Sequence, residues 1–131
     1  MSFTADIQRF ATMTNSDIGT AKRAIVFALF GQVVAKTPVD TGRAKGNWFV
    51  TENTPSPDTT ERDDTSPPGA VNVASQTMLN LVTEKLTVDI LTNNLPYIEA
   101  LEFGSSTQAP SGMLRTTLRA FARIAKKEGW K

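Results

Sequence analysis

The sequence predicts an α+β fold, with a small, mainly antiparallel sheet packed against a long N-terminal helix and a C-terminal helix. Three observations predict it. Residues 16–36 carry a long apolar helix signal, and its middle, Ala24-Ile25-Val26-Phe27-Ala28-Leu29-Phe30, is apolar without a break. Leu86-Thr87-Val88-Asp89-Ile90-Leu91 alternates with the period of a strand. Residues 112–128 return to helical spacing, with Leu114, Leu118, Phe121 and Ile124 or Ala125 on one face.

The elements follow in order. Thr4 caps a short helix over 4–12, with Ile7, Phe10 and Ala11 on one side. Asn15 or Ser16 caps the long helix, which ends near Lys36 because Pro38 lacks an N–H and pushes Thr37 out of the α region. This helix is apolar nearly all round. A helix on a sheet needs one apolar stripe, so the rest asks for cover from the N-terminal helix or from a neighbouring subunit. Ile25, Phe27 and Phe30 are the candidate subunit interface.

Pro38 to Gly42 read as a tight corner. Asp40 and Thr41 carry oxygens for nearby N–H groups, Asp40 standing beside Arg43 as a local ion pair, and Gly42 takes φ > 0 at no steric cost. Arg43 and Lys45 are expected in solvent. A strand over 46–53 then turns Trp48 and Val50 one way and Asn47, Phe49 and Thr51 the other.

Residues 54–69 hold no large apolar side chain. They contain Pro55, Pro57, Pro67 and Pro68, and set four acids, Asp58, Glu61, Asp63 and Asp64, against Arg62. Such a segment is a flexible polar loop: either a mobile hairpin tip or an arm that orders against a partner. Residues 70–84 space Val71, Ala74, Met78, Leu81 and Val82 as a helix. The strand 86–92 follows, with Leu86, Val88 and Ile90 inward and Asp89 outward, and Asn93-Asn94 turn the chain. A short segment from Tyr97 closes at Gly104, and Ser111 caps the last helix.

Length and composition bound the function. A chain of 131 residues with 40% hydrophobic and 21% charged content reads as one domain over 1–131 with a core. A net charge of +1 makes no whole-protein case for nucleic acid. There is no cysteine for a disulfide or thiolate site, and no histidine, the commonest general base and zinc ligand. No run of apolar residues approaches the ~20 of a spanning helix, and the start lacks the basic and apolar regions of a signal peptide. The expectation is a protein acting in the cytoplasm where it is made, with no membrane partner.

Catalytic candidates are thin. Glu99 and Glu102 are spaced to share a helical face, but no His, Cys or third ligand joins them. Ser105 and Ser106 lack a base, and Gly42, Gly46 and Gly104 make no phosphate loop. The chain is expected to have no enzymatic activity, no metal and no cofactor. The one electrostatic feature is the end: Arg115, Arg119, Arg123, Lys126, Lys127 and Lys131 against Glu128. Its arginines recur every fourth residue and share a face. That face is either solvated, turned to DNA in a channel, or a dock for an acidic partner.

Three blocks together resemble one family. Thr37-Pro38-Val39-Asp40-Thr41-Gly42-Arg43, then Pro96-Tyr97-Ile98-Glu99-Ala100-Leu101-Glu102-Phe103-Gly104, then Ala109-Pro110-Ser111-Gly112-Met113-Leu114-Arg115 stand in the order of the phage tail-component family typified by gene product 10 of phage HK97. Ala44-Lys45 stands where that family often carries Leu-Arg, and 52–69 has no counterpart. The resemblance implies a structural virion protein at the head–tail junction, made in the host cytoplasm. It implies a homo-oligomeric ring, hexameric or alternatively dodecameric, joining the connector to the tail tube or terminator. DNA then passes through the lumen without sequence-specific contact, and Arg115, Arg119 and Arg123 are the candidate channel- or partner-facing residues. The alternative is a small nucleic-acid-binding module using the basic C-terminal helix.

Overall fold

The computed structural model describes residues 15–67 and 79–128, with side chains from Ile18 onward. The expected helix over 4–12 and most of that over 70–84 lie outside the described residues. The architecture is α+β. A long helix α1 (Asn15–Lys36), a short α2 (Arg43–Gly46), strand β1 (Trp48–Glu52), strand β2 (Asp89–Asn93) and helices α3 (Ile98–Glu102), α4 (Leu114–Arg119) and α5 (Phe121–Lys127) follow in order. Among the described residues β1 and β2 make one antiparallel sheet, with Trp48 opposite Asn93, Val50 opposite Leu91 and Glu52 opposite Asp89.

The 22 residues of α1 span about 33 Å at 1.5 Å per residue. Ala21, Ile25 and Val33 recur at multiples of four and are buried with Val34. Val26, Phe27 and Phe30 are half-buried around the core. Ile25 is therefore covered by its own chain, and Phe27 and Phe30 partly so. The segment Ile18–Lys36 is, by length and composition alone, long and apolar enough to cross a membrane, against the expectation that no stretch is. Gly31 and Gln32 extend the apolar run toward Val33 and Val34 without adding charge, and on its other side only Lys22 and Arg23 part it from residues 18–21.

The core joins Val33 and Val34 of α1 to Trp48 and Val50 of β1, Leu79, Val82, Ala109 and Met113, with Leu91, Ile98 and Leu101 at its border. Trp48 and Val50 thus share the inward face, as their alternation predicts. In the partner strand the parity is reversed. Leu91 packs on the core and Asp89 faces α1, while Leu86 and Val88 precede the strand and are exposed. The reason is a cation on the helix. Lys22 Nζ donates to both oxygens of Asp89, at 2.9 and 3.1 Å, and to the Thr83 carbonyl at 2.7 Å. A buried lysine–aspartate pair satisfies an inward carboxylate that hydropathy alone places outside.

The last helix also differs from expectation. It is broken at Ala120 into α4 and α5, and its buried residues are Met113, Thr117, Ile124 and Ala125. Leu114, Leu118 and Phe121 are 48%, 58% and 46% exposed. Thr117 meets α1 by accepting a hydrogen bond from Lys36 Nζ at 3.1 Å and donating to the Met113 carbonyl. Small residues let the helices approach closely, and the break shifts the phase of the stripe.

Candidate functional site

The corner after α1 is fixed by side-chain hydrogen bonds. Thr37 is fully buried. Its hydroxyl donates to the Val33 carbonyl at 2.8 Å and accepts the Trp48 indole N–H at 2.9 Å, tying the end of α1 to β1. Pro38 is buried behind it. Gly42 has φ 86°, and a Cβ there would lie 2.6 Å from the Asp64 carbonyl oxygen. Both conformation and space require glycine. Thr41 Oγ1 accepts the Arg43 N–H at 3.3 Å. Asp40 and Arg43 are exposed, and the expected ion pair between them is not formed. The segment 43–46 turns as helix before the strand begins, so the strand starts at Trp48 rather than at 46.

The polar stretch from 54 to 67 lies against this corner, not away from it as a free tip. Asn47, fully buried, donates through Nδ2 to the carbonyls of Arg43 and Thr60 and accepts the Thr60 N–H at 2.8 Å. Arg62 donates to the carbonyls of Gly46 and Trp48, with its guanidinium 5.8 Å from the Phe49 ring. Asn94 donates to the carbonyls of Ser56 and Asp58. Lys45, expected in solvent, is buried and donates to the carbonyls of Ser66 and Pro67. Burial lowers its pKa, and the charge of Asp64 opposes that shift. A segment without apolar side chains is held by side chain-to-backbone hydrogen bonds, which composition does not reveal.

A cleft of about 610 Å3 opens between the corner and the segment after α3. Pro38, Asp40, Thr41 and Gly42 form one wall; Tyr97, Leu101 and Ser105 to Gln108 form the other. Gln108 clasps the walls together. Its Oε1 accepts the Val39 N–H at 2.8 Å and its Nε2 donates to the Val39 carbonyl at 2.9 Å. Gly104, with φ 91°, ends α3 by letting Ser105 N–H reach the Ala100 carbonyl and its own N–H reach that of Leu101.

Glu102 is engaged within the fold. Its carboxylate accepts the N–H groups of Met113, Leu114 and Arg115 at 3.0, 2.7 and 3.2 Å, and the Arg115 Nε at 3.0 Å. It thus caps α4 from a distance, the part expected of Ser111, which is exposed. Burial works to raise its pKa. The hydrogen bonds from Leu114 and Arg115, with that of Met113, outweigh it, and the net value lies below the ordinary 4.5. Arg115 also donates to the Glu102 carbonyl and lies 5.0 Å from the Phe103 ring, so this arginine helps bind the fold together. Arg119 and Arg123 are exposed. Lys36 joins them: it lines a shallower hollow of about 430 Å3, and its pKa is lowered by burial and by nearby Arg123.

The structure therefore brings two of the sequence blocks, the corner and the Tyr97–Gly104 segment, to one cleft, and ties the second block to the third through Glu102 at the entry to α4. It does not bring Ile25, Phe27 and Phe30 to that cleft. The roles of Gln108 and Lys36 are not legible in the sequence, since their partners lie 69 and 81 residues away; that of Asn47 depends on Thr60 across the loop, and the capping use of Glu102 has no local signal either. Among the described residues no three His, Cys, Asp or Glu side chains gather as a metal site would need. Comparison with models of protein families, with curated proteins and with solved structures finds no match for the chain.

Proposed function

We propose that the chain is a structural virion protein of the tail-completion type, assembling as a ring at the head–tail junction of a tailed phage. The observation that carries this reading is that the three resembling blocks are adjacent in the fold: the first and second line one cleft, and Glu102 of the second holds the start of α4 in the third. Their polar groups are spent on the fold, with Thr37 holding Trp48 and Gln108 holding Val39 besides. Such groups shape a surface for assembly and leave few free for chemistry. Exposed Leu114, Leu118 and Phe121 supply apolar surface for a neighbour.

Sedimentation of the purified chain, followed by electron microscopy of the largest species, tests the reading. A closed ring is the expected result. A monomer at all concentrations that binds duplex DNA tightly at physiological salt, and loses binding in Arg119→Gln/Arg123→Gln, establishes the nucleic-acid module instead.

A further inference from the structure

The chain segregates its unpaired charge. Asp58, Glu61 and Asp63 are exposed on the loop, while its one cation, Arg62, is turned onto backbone carbonyls and Phe49. Arg119, Arg123 and Lys126 are exposed on α4 and α5. Neither group forms an ion pair with another described residue. The two surfaces cannot close on each other within one chain. Phe49 and the loop lie on the outer face of the sheet, Trp48 and Val50 face α1 on the inner side, and α5 packs on α1.

The loop presents exposed Pro55 and Pro57 beside its acids, and on α4 and α5 the cations share one side while exposed Leu114, Leu118 and Phe121 lie on another. The loop is held in place by Asn47, Arg62 and Asn94, so its acids are presented at little further cost in ordering. Opposite charges in near balance, at a net of +1, fit self-association better than a polyanion, which rewards net positive charge.

We propose that a second copy of this chain seats its acidic, proline-bearing loop, residues 55–63, on the basic side of α4 and α5 formed by Arg119, Arg123 and Lys126. The contact joins two different surfaces, so it is head-to-tail, the type that closes rings. It rests on the ring reading above and names the surfaces that meet in it.

Charge reversal tests it. One variant carries Asp58→Lys, Glu61→Lys and Asp63→Lys; the other carries Arg119→Glu, Arg123→Glu and Lys126→Glu. Circular dichroism melts verify that each folds, and milder Asn or Gln replacements stand in for any that does not. Each reversed variant alone is expected to sediment as smaller species, and the Asn or Gln versions to associate roughly tenfold or more weakly than wild type. An equimolar mixture of the two reversed variants is expected to recover the large species, because each then offers one surface complementary to the other. An oligomeric wild type whose size neither the reversals nor the neutral replacements change overturns this pairing and leaves the ring standing. Reversals that dissociate without recovery on mixing also overturn it. A wild type that is monomeric at every concentration overturns both.

Discussion

Thr37 shows how one side chain decides the corner. Its hydroxyl is a donor to Val33 and an acceptor for Trp48, all out of water. Thr37→Val keeps the shape but leaves the indole N–H without its partner, which costs about 1–3 kcal/mol. A fall in the urea midpoint without a change in slope measures it. Glu102 is the second such residue. Glu102→Gln is expected to cost about 1.5–3 kcal/mol, since hydrogen bonds to a charged group are the stronger kind. Its pKa is lower folded than unfolded, so between the two values the unfolded chain binds more protons. The contribution is therefore complete above about 4.5, the ordinary value, and is lost as pH falls through the depressed folded one. Urea titrations of wild type and Glu102→Gln at a series of pH values should converge toward the acid end. A gap that stays constant down to the lowest pH at which the chain folds counts against the cap.

At the scale of elements, the loop and the last helices carry the contrasts. The loop is held by Asn47, so Asn47→Ala leaves Thr60 and Arg43 groups unpaired at a cost of about 1–3 kcal/mol. Limited proteolysis with mass spectrometry should find cleavage within 54–67 much faster in that variant than in wild type. Equal rates would mean the loop opens freely in both. The break at Ala120 makes a complementary prediction. Leu118, exposed, is expected to tolerate Ser within about 0.5 kcal/mol, whereas Met113→Ala, in the core, should cost about 2–5 kcal/mol. Thermal melts of the unassembled chain compare the two; the reverse ranking would restore a buried face of Leu114, Leu118 and Phe121.

For the whole molecule, the governing feature is that apolar and charged surfaces are shared out between opposite sides. α1, the sheet and α4–α5 build the core, and they leave exposed cations and, on a separate side of α4 and α5, exposed leucines, with an acidic loop on the outer face of the sheet. An assembly with an apolar centre and a charged rim should weaken as salt rises without dissociating outright, because screening touches the rim alone. Sedimentation at several salt concentrations reads this directly. Complete dissociation at moderate salt would mean that charge, not burial, holds the subunits.

The long helix and its stop at Lys36, the glycine at the corner, the inward face of β1 and the α+β class are legible in the residues alone. All of these depend on residues close together in the chain: a proline two places on, a positive φ, a period of two. What only the tertiary structure decided depends on partners distant in sequence. Asp89 turns inward because Lys22 waits on α1, and Lys45 is buried because the carbonyls of Ser66 and Pro67 receive it. The polar loop is ordered against the corner by Asn47, and the last helix turns its leucines outward because Thr117 meets Lys36. Hydropathy scores each side chain as if alone in its element. A charge or amide satisfied across the fold reverses that score, and the partner that reverses it is chosen only when the chain has closed on itself.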